Sequence, residues 1–281
     1  MRLITVMTTT KDAINADLEG RQGNGFRKHL GASIIGKPCA RQLWYSFRWA
    51  KKSNHGGRIL RLFQRGHEEE DRISQFLRKA GVHVLQEDPE TGEQFRIVDH
   101  DGHFGGSLDS LLFDTPEYPL QWILGEYKTH SDKSFKKTAK QGVEESKYEH
   151  FVQMQIYMHY RELPAALYIA VNKNDDDLYM PIVEYDEEVA LRYIDRAHFI
   201  IHSPDTPERI KNASPGWFIC RFCDYTDICF HGADKEQHCR TCIHADPIEN
   251  GAWICQKYNY HLTPEQQKKG CADYNVLVDT P

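Results

Sequence analysis

The chain has 281 residues, of which 40% are hydrophobic and 27% charged, and its formal net charge at pH 7 is -6. This length can hold one sizeable domain and a small appendage. The composition is that of a globular protein, and no stretch is apolar for long enough to span a membrane. Residues 1–17 lack the basic-then-apolar layout of a signal peptide, so we expect an intracellular, cytoplasmic protein with no membrane partner.

Positive charge is concentrated in two parts of this acidic chain. Residues 21–65 contain no Asp or Glu but 11 Lys and Arg residues, and a second basic run occupies residues 133–140. Such patches can neutralise DNA phosphates, although a solvated helix face would show the same composition. We predict DNA contacts from Arg41, Arg48, Lys51, Lys52, Arg58, Arg61, Lys133, Lys136 and Lys137.

The spacing of apolar residues predicts alternating helices and strands. Residues 1–30 are polar and glycine-containing, which indicates either a flexible segment or a loose first helix. The elements that follow, in chain order, are helices at 40–49 and 68–80, strands at 82–85, 105–113 and 121–128, a helix at 148–160, strands at 165–172 and 178–184, and a helix at 186–202. This order predicts an α/β fold in which helices flank a mixed sheet.

Three charged residues are predicted to meet on the sheet. Asp109 lies on one predicted strand, and Glu126 and Lys128 lie on the next. Because strand side chains alternate between faces, Glu126 and Lys128 point the same way, and pairing of the strands brings Asp109 beside them. Two carboxylates next to an ammonium suit a hard divalent cation that polarises a phosphodiester and activates water. Glu70, on the preceding helix, is the candidate for a further acidic ligand.

Four short segments carry the candidate site residues in a fixed order along the chain. They are Arg65-Gly-His-Glu-Glu-Glu70, Gly105-Gly-Ser-Leu-Asp109, Leu124-Gly-Glu-Tyr-Lys128 and Gln153-Met-Gln-Ile-Tyr157. Together they resemble the motifs of the PD-(D/E)XK nuclease superfamily, in its RecB-like and phage exonuclease branch. The resemblance covers roughly residues 33–230. The chain departs from it at Leu108, where the superfamily's name records a proline.

This resemblance implies a restriction-endonuclease-like fold and assigns roles within the site. Glu70, Asp109 and Glu126 would bind Mg or Mn together with a backbone carbonyl. Lys128 would position the attacking water. Glu69 is the alternative to Glu70 in the first motif.

The fourth motif implies supporting residues on the helix after the sheet. Gln153 and Tyr157 would support the site or contact the DNA strand, and Gln155 is the alternative to Gln153.

The implied function is a metal-dependent deoxyribonuclease, an exonuclease that processes DNA ends in recombination or replication. We expect a phage-encoded protein of the host cytoplasm, with a recombination or single-strand-annealing protein as candidate partner. The alternative is a DNA-end-binding or partner-docking protein on an inactivated nuclease fold. An inactivated copy is expected to have lost a charged site residue, and none is missing. A zinc-dependent regulator would need a recognition helix among the cysteines, which the pattern does not indicate.

The first cysteine group lies after the predicted sheet. Cys220, Cys223 and Cys229 form C-x2-C-x5-C, and tetrahedral zinc or a four-iron cluster needs a fourth ligand. Cys39 is the distant candidate; the alternative is a buried thiol, with His231 as the substitute ligand. The arrangement resembles iron–sulfur nucleases, namely the CRISPR-associated RecB-like exonucleases and AddB. That resemblance implies a structural 4Fe-4S cluster, with zinc as the alternative.

The second cysteine group is local. Cys239, Cys242, Cys255 and Cys271 form C-x2-C-x12-C-x15-C, which is typical of a structural zinc site. The surrounding segment is too short for an apolar core of its own, so we expect it to fold around the metal. The alternative is four unligated thiols in a disordered tail. The predicted organisation is an N-terminal segment at 1–30, a nuclease core with the first cysteine group at 31–232, and a zinc-binding module at 233–281.

Overall fold

The computed structural model describes residues 9–23 and 25–279, so the prediction for the first residues is covered only in part. The α-helices are α1 Thr10–Gly20, α2 Ala40–Phe47, α3 Gly57–Lys79, α4 Asp132–Ser146, α5 Tyr148–Arg161, α6 Glu187–His202, α7 Phe218–Arg221, α8 Thr226–His231 and α9 Pro264–Gln267. No helix in these ranges combines the length and the apolar content that a membrane crossing needs.

The strands form one large and two small sheets. They are β1 Leu30–Gly31, β2 His83–Leu85, β3 Arg96–Asp99, β4 Phe104–Ser107, β5 Ser110–Thr115, β6 Tyr118–His130, β7 Ala165–Asn172, β8 Leu178–Tyr179, β9 Ile182–Glu184, β10 Ala245–Pro247, β11 Trp253–Cys255 and β12 Tyr260–Leu262. The large sheet has the order β2-β5-β6-β7-β8, with β9 also paired to β7. Strands β6 and β7 are parallel, and parallel neighbours need a long crossover connection, which α4 and α5 provide here.

Helices cover the two faces of the large sheet, as the predicted α/β fold requires. On one face, Ile123 and Tyr127 of β6 pack with Ile73 and Leu77 of α3. On the other face, Leu124 belongs to the apolar core that α5 and α6 help to form. Because side chains alternate along β6, the positions two and four residues after Leu124 share its face.

Helix α3 begins at Gly57 rather than at residue 68, so the predicted start was wrong. Its first turn is held from outside, because the Gly57 amide donates to Glu19 Oε1 of α1 over 2.6 Å. A helix N-terminus leaves its first amide groups without partners inside the helix, and a carboxylate satisfies one of them. The acceptor lies 38 residues earlier in the chain, so no local cap marked this start.

The strand predicted at 105–113 is two strands in different sheets. Strand β4 pairs with β1 and β3, whereas β5 pairs with β2 and β6. The chain crosses between the sheets at Leu108 and Asp109, where Leu108 is fully buried and its amide donates to Phe95 O. Asp109 therefore precedes β5 instead of lying within a strand. The strand predicted at 178–184 is likewise divided into β8 and β9.

Residues 233–279 contribute side chains to the main apolar core. Strands β10, β11 and β12 form a small antiparallel sheet, and Trp253 on β11 is fully buried against Phe47 of α2. The buried guanidinium of Arg240 lies 3.6 Å from the Trp49 ring centroid and donates to Lys28 O over 3.1 Å. This part of the chain thus shares its core with α2.

We expect Trp253→Ala to lower the free energy of unfolding by about 3–5 kcal/mol, because a large aromatic side chain leaves a cavity in the shared core. Urea unfolding followed by circular dichroism measures the change. The control is Val278→Ala, at a side chain that is 77% exposed, which we expect to shift stability by no more than about 0.5 kcal/mol. A separate early transition in Trp253→Ala would contradict a shared core.

Candidate active site

Three predicted site residues meet where β5 and β6 run side by side. The ammonium of Lys128 forms ion pairs with Glu126 Oε1 and, at 3.4 Å, with Asp109 Oδ2. The same Asp109 oxygen accepts the Tyr127 amide over 2.8 Å. The Lys128 ammonium also donates to Tyr127 O over 3.0 Å. The backbone of β6 therefore holds Asp109 against the two side chains that β6 carries.

Glu70 lies on the side of α3 that faces this cluster. Burial and the negative charge of Asp109 raise its pKa, whereas His67 and Lys128 lower it. Charges shift a pKa in this way only at short range, so Glu70 lies close to Asp109 and Lys128. The alternative, Glu69, instead pairs with Arg72 at 2.7 Å, and the placement favours Glu70.

The buried carboxylate of Glu126 is short of compensating charge. Its side chain is fully buried, and among the described residues neither of its oxygens has a hydrogen-bond partner of regular geometry. Burial and the charge of Asp109 raise its pKa although Lys128 opposes them. Burial alone would lower the pKa of Lys128, but Asp109 and Glu126 outweigh it and raise that pKa. One ammonium thus serves several carboxylates, which is the electrostatic condition of a cation site.

A divalent cation fits this cluster in charge and in donor type. The oxygens of Glu126 are hard ligands already withdrawn from water, and Lys128 is their ion-pair partner. Across residues 9–23 and 25–279, however, no three His, Cys, Asp or Glu side chains are placed so that they could hold a metal ion as they stand.

Helix α5 completes the wall of the site with Gln153 and Tyr157. The Gln153 amide lies 3.4 Å from the Tyr157 hydroxyl, and both side chains are buried. Burial raises the pKa of Tyr157, as do the nearby charges of Glu126 and Asp109. A Cβ at Gly106 would collide with the Tyr157 hydroxyl, so only glycine lets this ring approach β4.

Gln155 has a structural role instead. It donates to Glu184 O over 2.9 Å and accepts the Asp186 amide over 2.7 Å, which ties α5 to the segment between β9 and α6. Among the two glutamines of this motif, Gln153 is the one placed at the site.

A cavity of about 510 Å³ adjoins Glu70 and Lys128, and its lining includes two histidines that the sequence analysis missed. His130 and His150 lie 2.9 and 2.8 Å from the shared Tyr168 hydroxyl. Burial and neighbouring lysines lower their pKa values to about 4 and about 3, so both rings are neutral at pH 7. The sequence spacing could have indicated His130, because it follows Glu126 and Lys128 at every second position of β6 and so points to the same face.

The first cysteine group assembles from both ends of the predicted core. Cys39, at the start of α2, lines one small cavity with Cys220, Cys223 and Cys229. Burial raises the pKa of Cys223, and the nearby thiols of Cys39 and Cys229 add to this. The donor chemistry therefore fits a thiolate-bound metal, although the side chains are not in a ligating arrangement.

The second cysteine group also comes together. Burial raises the pKa of Cys239 to about 11, and the other three thiols, of Cys242, Cys255 and Cys271, contribute. Mutual repulsion of this kind is what a bound cation relieves, so the donor set fits a structural metal.

Two of the predicted DNA contacts were wrong, because the structure buries their side chains. Arg41 is 1% exposed and donates to Pro207 O over 2.7 Å. Arg48 is 2% exposed, lies over the Trp253 ring and donates to Ala245 O over 2.6 Å. A basic residue that alternates with aromatic ones on a helix looks the same in the sequence whether it faces solvent or the core.

The other predicted DNA contacts are at the surface or close to it. Arg61 is half-buried and donates to Asn15 Oδ1 of α1. Lys51 is exposed and pairs with Asp227 at 2.6 Å. The remaining exposed side chains are Lys52, Arg58, Lys133, Lys136 and Lys137.

Several solved structures resemble the chain. An alkaline exonuclease from Laribacter hongkongensis, LHK-Exo, is 19% identical, with a TM-score of 0.44 and coverage of 62% of this chain and 86% of that one. LHK-Exo in complex with dAMP gives 18% identity, a TM-score of 0.45 and coverage of 67% and 90%. SSO0001 gives 13% identity, a TM-score of 0.47 and coverage of 80% and 98%.

A scan of family models and a search of curated proteins found no match. At these identities and scores, function has to be inferred from the residues of the site itself.

We expect Glu126→Gln to stabilise the protein when no Mg or Mn is added, by about 1–2 kcal/mol at alkaline pH. Burial raises the folded-state pKa of Glu126 above its unfolded value, so the unfolded chain ionises first and the penalty on folding grows from the unfolded pKa up to the folded pKa. The penalty is absent at low pH, where both states are protonated, and constant above the folded pKa. The gain should therefore grow as pH rises. Thermal unfolding across pH measures it, with the exposed turn variant Glu117→Gln as control. A gain that is independent of pH would contradict the raised pKa.

Proposed function

We propose that the chain is a metal-dependent DNA nuclease of the PD-(D/E)XK type. The observation that carries this proposal is the buried meeting of Asp109, Glu126 and Lys128, with Glu70 facing them from α3. Four motifs in the order of that superfamily support it, because they supply these residues from separate parts of the chain.

Each residue of the site has a role that its surroundings support. Glu70, Asp109 and Glu126 would hold Mg or Mn, which when bound polarises the phosphodiester and activates water. The raised pKa of Lys128 keeps its ammonium charged at neutral pH. That ammonium would orient the attacking water and stabilise negative charge on the phosphate, rather than accept a proton.

The fourth motif would support the site from α5. Tyr157 is placed against Gly106, and Gln153 against Tyr157, so the pair would keep the wall of the site in position. The neutral ring of His130 is held by Ser134 and Tyr168, and that of His150 by Tyr168, so this wall of the adjoining cavity adds no charge.

We further propose that the reaction is exonucleolytic and serves the processing of DNA ends in recombination or replication. The motif resemblance supports this finer statement. In this proposal the chain is phage-encoded and acts in the host cytoplasm, and a recombination or single-strand-annealing protein is the candidate partner. The competing function is DNA-end binding or partner docking on a nuclease fold that does not cleave.

We expect Asp109→Asn, Glu126→Gln and Lys128→Met each to reduce cleavage about a thousandfold or more while the fold is retained. Each change removes a metal ligand or the charge that stabilises the transition state, which is worth several kcal/mol. Single-turnover cleavage of labelled DNA with Mg or Mn measures the loss, and the exposed carboxylate variant Glu117→Ala is the matched control. Binding without any cleavage by the wild-type chain would favour the competing function.

The same assay on end-labelled linear DNA and on circular DNA tests the exonuclease proposal. We expect linear DNA to be degraded and circular DNA to resist, because an exonuclease requires an end. Cleavage of covalently closed circles would establish endonuclease action and overturn that part of the proposal.

We also propose two structural metals. A 4Fe-4S cluster would be held by Cys39, Cys220, Cys223 and Cys229, and zinc is the alternative there. The convergence of thiols from both ends of the core on one cavity supports this set. One zinc would be held by Cys239, Cys242, Cys255 and Cys271, since the last three thiols are close enough to Cys239 to raise its pKa.

We expect anaerobically purified protein to contain iron, sulfide and one zinc per chain, and Cys39→Ser to empty only the first site. A metal saturated with thiolates has no open position, so losing it should affect folding more than chemistry. Elemental analysis and visible absorbance measure both. Two zinc ions and no cluster absorbance would overturn the iron–sulfur assignment, and retention of both metals in Cys39→Ser would make Cys39 a buried thiol.

A further inference from the structure

A groove of about 920 Å³ runs beside the first half of α3 and meets the candidate active site. It is bordered by the segment after α1, by α2, by residues 51–55 and by Tyr225. Phe63 lines both this groove and the cavity that contains Glu70 and Lys128. Phe63 therefore stands at the border between the two spaces.

The groove carries an excess of positive charge. Over the described residues, its lining has three basic side chains and one acidic side chain, Asp224. The basic side chains are Arg27, Lys37 and Lys51, and Lys51 is paired with Asp227 just outside the groove, which leaves Arg27 and Lys37 to carry the excess. A groove of this polarity attracts a polyanion and can follow its phosphates.

Phe63 presents an aromatic ring at the junction. Its side chain is 50% exposed, and a ring neighbour is His55, at 5.1 Å in a T-shaped arrangement. Half of the side chain is therefore accessible at this border. Exposed aromatic rings inside basic grooves bind unpaired nucleic acid bases, because every base has a face that can stack.

The path from Phe63 to the catalytic cluster follows one face of α3. Phe63 precedes Glu70 by seven residues, which is about 10 Å along a helix. Gly66 lies between them on that face, and a Cβ there would meet no atom within 4 Å. The space between the ring and the carboxylates is thus open, and a side chain at position 66 would project into it.

We infer that an unpaired DNA strand reaches the catalytic cluster through this groove and that Phe63 stacks on one of its bases. This inference rests on the proposed nuclease function and adds its substrate class. A duplex hides all base faces except those of its terminal pairs in its own stack, so it offers Phe63 far less than an unpaired strand does. An unpaired strand offers both the phosphates that the basic side chains neutralise and the base face that the ring covers.

The test is equilibrium binding in the Asp109→Asn background, measured by anisotropy of fluorescein-labelled oligothymidylate. The comparison ligands are an abasic strand of equal length and a blunt hairpin duplex. Phe63→Ala should weaken binding of oligothymidylate about tenfold, should leave the abasic strand unaffected, and should be rescued by Phe63→Trp. Phe76→Ala is the matched control, because Phe76 is 48% exposed on the same helix but lines neither space.

A second variant tests the path rather than the ring. Gly66→Leu places a side chain between Phe63 and Glu70 and does not weaken α3, since glycine is a poor helix former. It should reduce binding of oligothymidylate and the abasic strand alike. Equal losses in Phe63→Ala and Phe76→Ala, a Phe63 effect that persists on the abasic strand, or tighter binding of the duplex would each overturn the inference.

The binding experiment does not depend on cleavage. If the wild-type chain binds oligothymidylate with the expected Phe63 dependence but cuts no DNA, the nuclease proposal fails and the strand path stands. If it cuts DNA and Phe63→Ala leaves binding and KM unchanged, the nuclease proposal stands and the strand path fails.

Discussion

Lys128 places its ammonium beside the carboxylates of Asp109 and Glu126, at a point where the sheet and α5 exclude most of the solvent. Burying a charge is costly unless it is paired, and here the ammonium and the carboxylates offset one another's cost of burial. The register of β5 and β6 has to bring Asp109 beside β6, and Gly106 has to be small so that Tyr157 can cover the cluster. Much of the surrounding packing follows from keeping these charges together.

Negative charge exceeds positive charge at this cluster in the protein alone. Several acidic groups share one ammonium, and the oxygens of Glu126 lack regular hydrogen bonds among the described residues. Under the proposed function, such a site gives up some stability in return for affinity toward a cation, a trade that active sites commonly make. The neighbouring cavity is different in character, because His130 and His150 in its wall are neutral and share the Tyr168 hydroxyl.

The sequence was sufficient for the features that depend on local periodicity or on motif order. Strand β7 and helix α5 were predicted nearly to the residue, since their burial is continuous. The proximity of Asp109 and Glu126 was also predicted, although they are 17 residues apart in the chain. What failed depended on distant contacts: the start of α3 is capped by Glu19, and Arg48 is covered by Trp253. Charge patterns cannot distinguish a guanidinium stacked in the core from one that faces DNA.

The docking of Arg240 and Trp253 against α2 has a consequence for how the molecule is made. Arg240 donates hydrogen bonds to Lys28 O and Phe47 O, which precede it in the chain by 212 and 193 residues. During synthesis, α2 and its aromatic side chains emerge long before the residues that cover them. The nascent chain therefore carries an uncovered apolar surface through most of translation. Contacts of such long range also slow folding, because a large loop must close before they form.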